Sequence, residues 1–187
     1  MWPWEHLAFG YLIVSVAWRL SDRKRNGLLV MAVAAGTQFP DLVDRPLYHL
    51  GALPAARSLT HSLLVAAPLC LIVLVAAIRR DRFALGVAFT IGYLSHLLGD
   101  ALPAVIEGHY GSTRFLLWPV YPATPGMGTA FQRMLDVLMT PEVYLTTLSY
   151  RTAMVLLVIV VWIDDGLPVA VEVGRYIYDS AGGQGSR

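Results

Sequence analysis

Charged residues and cysteines are scarce in this sequence, and each shortage excludes a class of protein. Lys, Arg, Asp and Glu make up 14% of the 187 residues, whereas about 25% is usual for a soluble domain. The composition therefore argues against a soluble globular domain and against a disordered chain. A formal net charge of +1 provides no basic field for nucleic acid. The one cysteine, Cys70, excludes an intrachain disulfide framework and a CxxC metal site.

Apolar residues are abundant instead, at 56% of the chain with a mean hydropathy of +0.57. A helix needs about 20 mostly apolar residues to cross the hydrocarbon core of a bilayer. The clearest candidates are residues 58–78 and 83–99, and shorter apolar stretches cover 6–18, 26–40 and 152–163. The first and last of these stretches need flanking residues to reach spanning length. The sequence predicts an all-α polytopic membrane protein with about five membrane-embedded helices.

The remaining segments define the domain organisation. Gly and Pro interrupt residues 103–141, which predicts an outer loop with short helices. Gly and Ser dominate residues 180–187, which predicts a disordered tail. We therefore expect a single helical membrane domain over residues 1–179.

The cationic residues predict the orientation of the chain. They crowd the first and third connections between apolar stretches, and cytoplasmic loops collect Lys and Arg. The residues are Arg19, Arg23, Lys24, Arg25, Arg79, Arg80 and Arg82. We expect a multi-pass protein of the cell membrane with the lipid bilayer as its partner, the N-terminus outside and the C-terminus in the cytoplasm.

Several ionisable residues lie at the ends of the apolar stretches. An ionisable side chain costs at least ~2.5 kcal/mol at the bilayer centre, so its presence in a membrane segment indicates a function or a partner. They are His6, Asp41, Asp44, His61, His96 and Asp100. With the orientation given above, all six fall on the outer side of the membrane. His96 and Asp100 are four residues apart and share a helix face. Asp41 and Asp44 are three residues apart and would also converge if the second helix continues, although Pro40 suggests that this helix ends there or restarts.

Imidazole and carboxylate ligands together suit Zn²⁺, Mn²⁺ or Fe²⁺ better than Mg²⁺ or Ca²⁺. Such a site, with one open coordination position, activates water for the hydrolysis of esters or amides. Arg57, four residues before His61, would clamp an anionic substrate or neutralise a ligand. The alternative for Arg57 is an interfacial anchor, and the alternative for each His–Asp pair is a hydrogen-bonded brace.

Four blocks in order carry a resemblance to a known family: Glu5-His-Leu7, Phe39-Pro-Asp-Leu42, Thr60-His-Ser-Leu-Leu64 and Gly92-Tyr-Leu-Ser-His-Leu-Leu-Gly-Asp100, followed by Leu116-Leu-Trp-Pro119. With these blocks, residues 5–119 resemble the predicted membrane-bound metal-dependent hydrolases, the YdjM-like family. The family usually reads Pro-Asp-x-Asp-His where this chain has Val43 and Asp44. It also often has a histidine where this chain has Ala56.

The resemblance implies a helical membrane domain that holds a metal ion through His61, His96, Asp41 and Asp100, with His6 in or near the site. We therefore expect a hydrolase that uses a divalent metal, zinc by preference, on a lipid or another amphiphilic ester or phosphoester at the outer face. Asp44 is the expected general base, and Arg57 is expected to stabilise negative charge on the substrate.

Two other functions remain open at this point. The same cluster would serve as a structural or metal-sensing site in a non-catalytic membrane protein, which Val43 and Ala56 favour. Intramembrane His and Asp residues also mark ion pathways, although no ionisable residues continue through the cytoplasmic half of the predicted spans.

Overall fold

The computed structural model describes residues 2–21, 26–122 and 141–182, and within these ranges the protein is helical with no strand. The α-helices are α1 (Pro3–Leu20), α2 (Gly27–His49), α3 (Leu63–Ile78), α4 (Phe83–Ile106), α5 (Pro141–Asp164) and α6 (Ala170–Gly182). A 3-10 helix, η1 (Tyr110–Leu117), follows α4. The predicted all-α fold is confirmed.

Helix α2 differs from the sequence prediction because it continues through Pro40 and Pro46. A proline inside a helix removes one backbone donor and bends the helix, yet membrane helices tolerate it when neighbouring groups satisfy the freed carbonyls. Pro40 lacks the N–H that would bond to the carbonyl of Gly36, yet the chain stays helical from Gly27 to His49. The prediction that the second helix ends or restarts at Pro40 is therefore wrong, and Asp41 and Asp44 lie one turn apart on one helix.

The other boundaries refine the predicted segments. Helix α3 begins at Leu63 with Ser62 as its N-cap, so residues 58–62 form a turn rather than the start of a span. Helix α6 extends to Gly182, three residues into the predicted tail, and residues 183–187 lie outside the described ranges. Of the predicted outer loop, residues 123–140 also lie outside them.

Glycines allow α2 and α4 to pack with their backbones almost in contact. A Cβ added to Gly36 would lie 2.1 Å from the carbonyl oxygen of Phe89, and one added to Gly92 would lie 2.2 Å from that of Val33. On α1, a Cβ at Gly10 would lie 2.5 Å from the side chain of Thr37. Small residues are the usual means by which membrane helices approach closely. This packing fixes the register of the helices that carry the polar residues.

Within the described ranges, α4 is the helix that combines sufficient length and hydropathy to cross a membrane. Its 24 residues rise about 36 Å, against the roughly 30 Å of the hydrocarbon core. Leu63–Ile78 and Thr152–Asp164 are apolar but shorter. Helix α2 is long enough but carries Asp41, Asp44 and Arg45 in its second half. The number of five spans stays a prediction.

Candidate metal centre

The six ionisable residues singled out in the sequence meet at one end of the helical bundle. His6 lies near the start of α1, His61 directly precedes α3, and the other four lie in the later parts of α2 and α4. The starts of α1 and α3 therefore lie at the same end of the bundle as the later parts of α2 and α4. Every one of the six is buried, with exposed fractions from 0% for His61 and His96 to 9% for Asp41.

Asp44 fixes the orientation of His61. The Nδ1–H of His61 donates to Oδ2 of Asp44 at 2.8 Å, since an ionised carboxylate can only accept. The same carboxylate accepts from the backbone N–H of Ser58 at 3.0 Å, and from the N–H and hydroxyl of Thr60 at 2.9 and 2.7 Å. Both oxygens of Asp44 are therefore engaged, and Nε2 of a neutral His61 carries its lone pair into the cluster.

A backbone carbonyl orients His96 in the same way. Its Nδ1–H donates to the carbonyl of Thr37 at 2.6 Å, because a carbonyl oxygen has no proton to give. The Nε2 atoms of His96 and His61 then face each other across 3.1 Å. Two neutral imidazoles in this arrangement present two lone pairs to one point. A cation, or a proton shared between the rings, is needed to relieve their repulsion.

Two carboxylates complete this electron-rich point. Oδ1 of Asp41 lies 3.6 Å from Nε2 of His61 and 4.0 Å from that of His96. Oδ2 of Asp100 lies 3.6 and 3.7 Å from the same two atoms. Ligands about 2.0–2.2 Å from one zinc ion lie roughly 3–4 Å from one another. The spacing and the chemistry of Asp41, His61 and His96 thus fit a divalent ion, and Asp100 lies at similar distances from both histidines.

His6 stacks on His96 with ring centroids 3.7 Å apart and planes inclined by 17°. Its Nε2 is 3.4 Å from Oδ1 of Asp100, and its Nδ1 forms no hydrogen bond with a described residue. His6 is only 1% exposed, and buried polar atoms in native proteins nearly always have a partner. A ring nitrogen in this state is available to a cation, and His6, His96 and Asp100 form a second group of suitable donors.

Arginines and one aromatic ring surround the buried donors. Arg57 pairs with both oxygens of Asp100, through Nη2 at 2.9 Å and Nε at 2.8 Å. Arg45 donates to Oδ2 of Asp41 at 2.7 Å. Phe115, from η1, packs edge-on against the ring of His61 and beneath the guanidinium of Arg57. Each arginine therefore engages a carboxylate that also faces the two histidines.

The sequence singled out Arg57 and all six buried residues, but it missed other parts of the site. Arg45 follows Asp41 by four residues, so helical spacing was an available signal. Thr37 acts through its backbone carbonyl and Phe115 reaches the site from a separate segment, so neither carries a sequence signal. His49 and His109 are exposed and take no part in the cluster.

The fold and site define an all-helical protein with a buried His/Asp cluster able to hold a metal ion. Residues 1–170 match the model of the YdjM inner membrane protein family. The chain belongs to this family, which makes it a membrane protein and confirms the family resemblance seen in its motifs. No curated protein and no solved structure matches it significantly.

Proposed function

We propose that this YdjM-family protein is a membrane-embedded metal-dependent hydrolase of an amphiphilic ester or phosphoester. The observation that carries the proposal is the pair of imidazole Nε2 atoms 3.1 Å apart. Each ring is fixed through Nδ1 by an acceptor on the protein, Asp44 for one and the carbonyl of Thr37 for the other. Metal-binding histidines are commonly oriented by such outer hydrogen bonds.

In this proposal His61, His96, Asp41 and Asp100 hold the ion, and His6 supplies a further nitrogen beside Asp100. Mixed nitrogen and oxygen donors favour Zn²⁺ among the common divalent ions, with Mn²⁺ and Fe²⁺ as rivals. The bound ion would act as a Lewis acid that polarises the ester and lowers the pKa of water.

The remaining residues have roles that follow from their contacts. Asp44 is completely buried and already accepts hydrogen bonds from Ser58, Thr60 and His61. We therefore assign it the orientation of His61 in place of the general-base role expected from the sequence. Arg57 keeps Asp100 in position, and its side chain is 38% exposed, so it is also available to stabilise negative charge on a substrate.

The location supports an amphiphilic substrate at the outer face. The cluster lies at the end of the bundle opposite the connection that contains Arg79, Arg80 and Arg82, and the positive-inside rule assigns that connection to the cytoplasm. Helix α3 exposes large apolar side chains along its length, including Leu71 at 62% and Ile72 at 64%. An apolar helix surface that begins next to His61 is consistent with an amphiphilic substrate that approaches from the bilayer.

Metal analysis of the detergent-purified protein tests the assignment. We expect about one equivalent of a divalent metal per chain, and a loss of most of it in His61→Ala and His96→Ala. His109→Ala is the matched control, because His109 is exposed and lies outside the cluster. Equal metal content in all four proteins would refute the site.

A non-catalytic metal site is the second candidate, and the burial of the donors favours it, since all six ionisable residues are at most 9% exposed. A panel of carboxylic esters, phosphomonoesters and phosphodiesters separates the two functions. If the protein is a hydrolase, the wild type turns over a substrate and His61→Ala abolishes the turnover. If the metal site is structural, the wild type binds metal without turnover, and His61→Ala loses thermal stability.

A further inference from the structure

Two arginines pair with carboxylates of the candidate metal centre. Arg45, on α2, donates to Oδ2 of Asp41 at 2.7 Å, and Arg57, before α3, pairs with Asp100 at 2.8 and 2.9 Å. Both carboxylates also approach Nε2 of His61, each at 3.6 Å. The two guanidiniums are thus connected to the same histidine through one carboxylate each.

The two carboxylate oxygens of Asp41 contact different groups. Oδ2 accepts from Arg45, whereas Oδ1 faces the two histidines. Arg45 therefore leaves the oxygen nearest the imidazoles free for a cation. The hydrogen bond uses one of the five N–H groups of a guanidinium, so most of the donors of Arg45 remain for another acceptor.

Exposure distinguishes the arginines from the groups they flank. The side chains of Arg45 and Arg57 are 31% and 38% exposed, whereas His61 and His96 are fully buried. A molecule that approaches the centre therefore meets guanidinium groups first. Planar guanidiniums bind phosphate oxygens through paired, charge-assisted hydrogen bonds, and a neutral carboxylic ester offers no charge to match them.

We propose that Arg45 and Arg57 together select a phosphate-ester head group, so that the substrate is an anionic phosphoester and not a neutral ester. This inference rests on the proposed function, because the phosphate would bind beside the metal ion. It also assigns Arg45 a role in specificity. The chemistry is common to a lipid phosphate and to a soluble phosphate, and the experiment distinguishes the two.

The test uses the full-length protein in detergent, loaded with Zn²⁺, and measures the binding of radiolabelled inorganic phosphate by equilibrium dialysis. Acetate and a short-chain phosphatidic acid serve as competitors. We expect phosphate to bind and acetate not to displace it. Tighter competition by the phosphatidic acid would identify a lipid phosphate, and equal competition a soluble one, and both support the proposal.

Substitutions show whether Arg45 contacts the anion. Arg45→Gln should retain zinc and weaken phosphate binding by about tenfold or more, the loss typical of a hydrogen bond to a charged group. Arg45→Lys keeps the charge and should recover part of the affinity. Arg114→Gln is the control, because Arg114 is exposed and lies over the ring of Tyr121.

Two results would overturn the inference while the proposed function stands. One is a zinc-loaded protein that binds no phosphate. The other is Arg45→Gln losing zinc and phosphate in equal proportion, since Arg45 would then act only by holding Asp41. A protein that binds no divalent metal would refute the proposed function, and this inference with it.

Discussion

A methyl group added at Gly36 tests whether close helix packing builds the metal centre. Gly36 of α2 faces α4, where its added Cβ would lie 2.1 Å from the carbonyl oxygen of Phe89 and 2.9 Å from the backbone nitrogen of Tyr93. Both obstacles are backbone atoms, so no side-chain rotation relieves the clash. Ordinary contact begins near 3.4 Å, and Gly36→Ala therefore requires the two helices to separate by about 1 Å.

The separation has two consequences of different size. Overpacking of this kind costs about 1–3 kcal/mol of unfolding free energy, of which the better helix propensity of alanine recovers at most about 1 kcal/mol. The displacement also affects metal binding, because Thr37 directly follows Gly36 and the carbonyl of Thr37 accepts the hydrogen bond of His96 at 2.6 Å. Sites that hold a ligand tolerate errors of only about 0.5 Å.

Thermal unfolding and metal content, both measured on detergent-purified protein, provide the assay. Gly174→Ala is the matched control, because Gly174 is also within a helix but has no atom within 4 Å of an added Cβ. We expect Gly36→Ala to melt at a lower temperature than Gly174→Ala and to lose metal. If both variants match the wild type in stability and in metal content, the packing argument is refuted.

Three further predictions concern charges. Asp165 accepts hydrogen bonds from Tyr11, Ser15 and Arg19 in the bundle interior, so Asp165→Asn should lower the unfolding free energy by about 3 kcal/mol. The side chain of Asp164 is 64% exposed, so Asp164→Asn should change the unfolding free energy by less than about 1 kcal/mol. Equal Tm shifts for the Asp165 and Asp164 variants would contradict this reasoning from burial. Asp44→Asn removes the carboxylate that orients His61 and should weaken metal binding about 10–100-fold in a chelator competition, whereas Glu107→Gln, an exposed control, should not. Acidification should release the metal, since protons compete for imidazole and carboxylate ligands, and metal content that stays constant from pH 7 to pH 4 would argue against these donors.

The sequence predicted the parts of the site that depend on residue type and position along a helix. His96 and Asp100 were expected on one face, and their side chains do approach within 3.7 Å. Pro40 suggested that the second helix ends or restarts before Asp41 and Asp44, and the structure instead has the alternative in which the helix continues. Local signals report backbone preference, and packing among neighbouring membrane helices can override that preference.

The roles of individual residues were harder to predict, because a role depends on which atoms meet. Asp44 looked like a free carboxylate in the sequence, but the turn before α3 surrounds it with donors from Ser58 and Thr60. Arg45 was overlooked although its spacing from Asp41 was an available signal, because the spacing alone does not show that one oxygen of Asp41 accepts from Arg45 while the other faces two histidines.

The amino-acid sequence by itself determined that this is a helical membrane protein with ionisable residues at the ends of its apolar stretches, because composition and hydrophobic run length decide which solvent a chain prefers. Only the tertiary structure decided that His61 and His96 meet at 3.1 Å, each with its other ring nitrogen held by the protein. That outcome required α2 and α4 to approach at Gly36 and Gly92. The distance between side chains on different segments depends on how the helices pack, which no local pattern along the chain specifies.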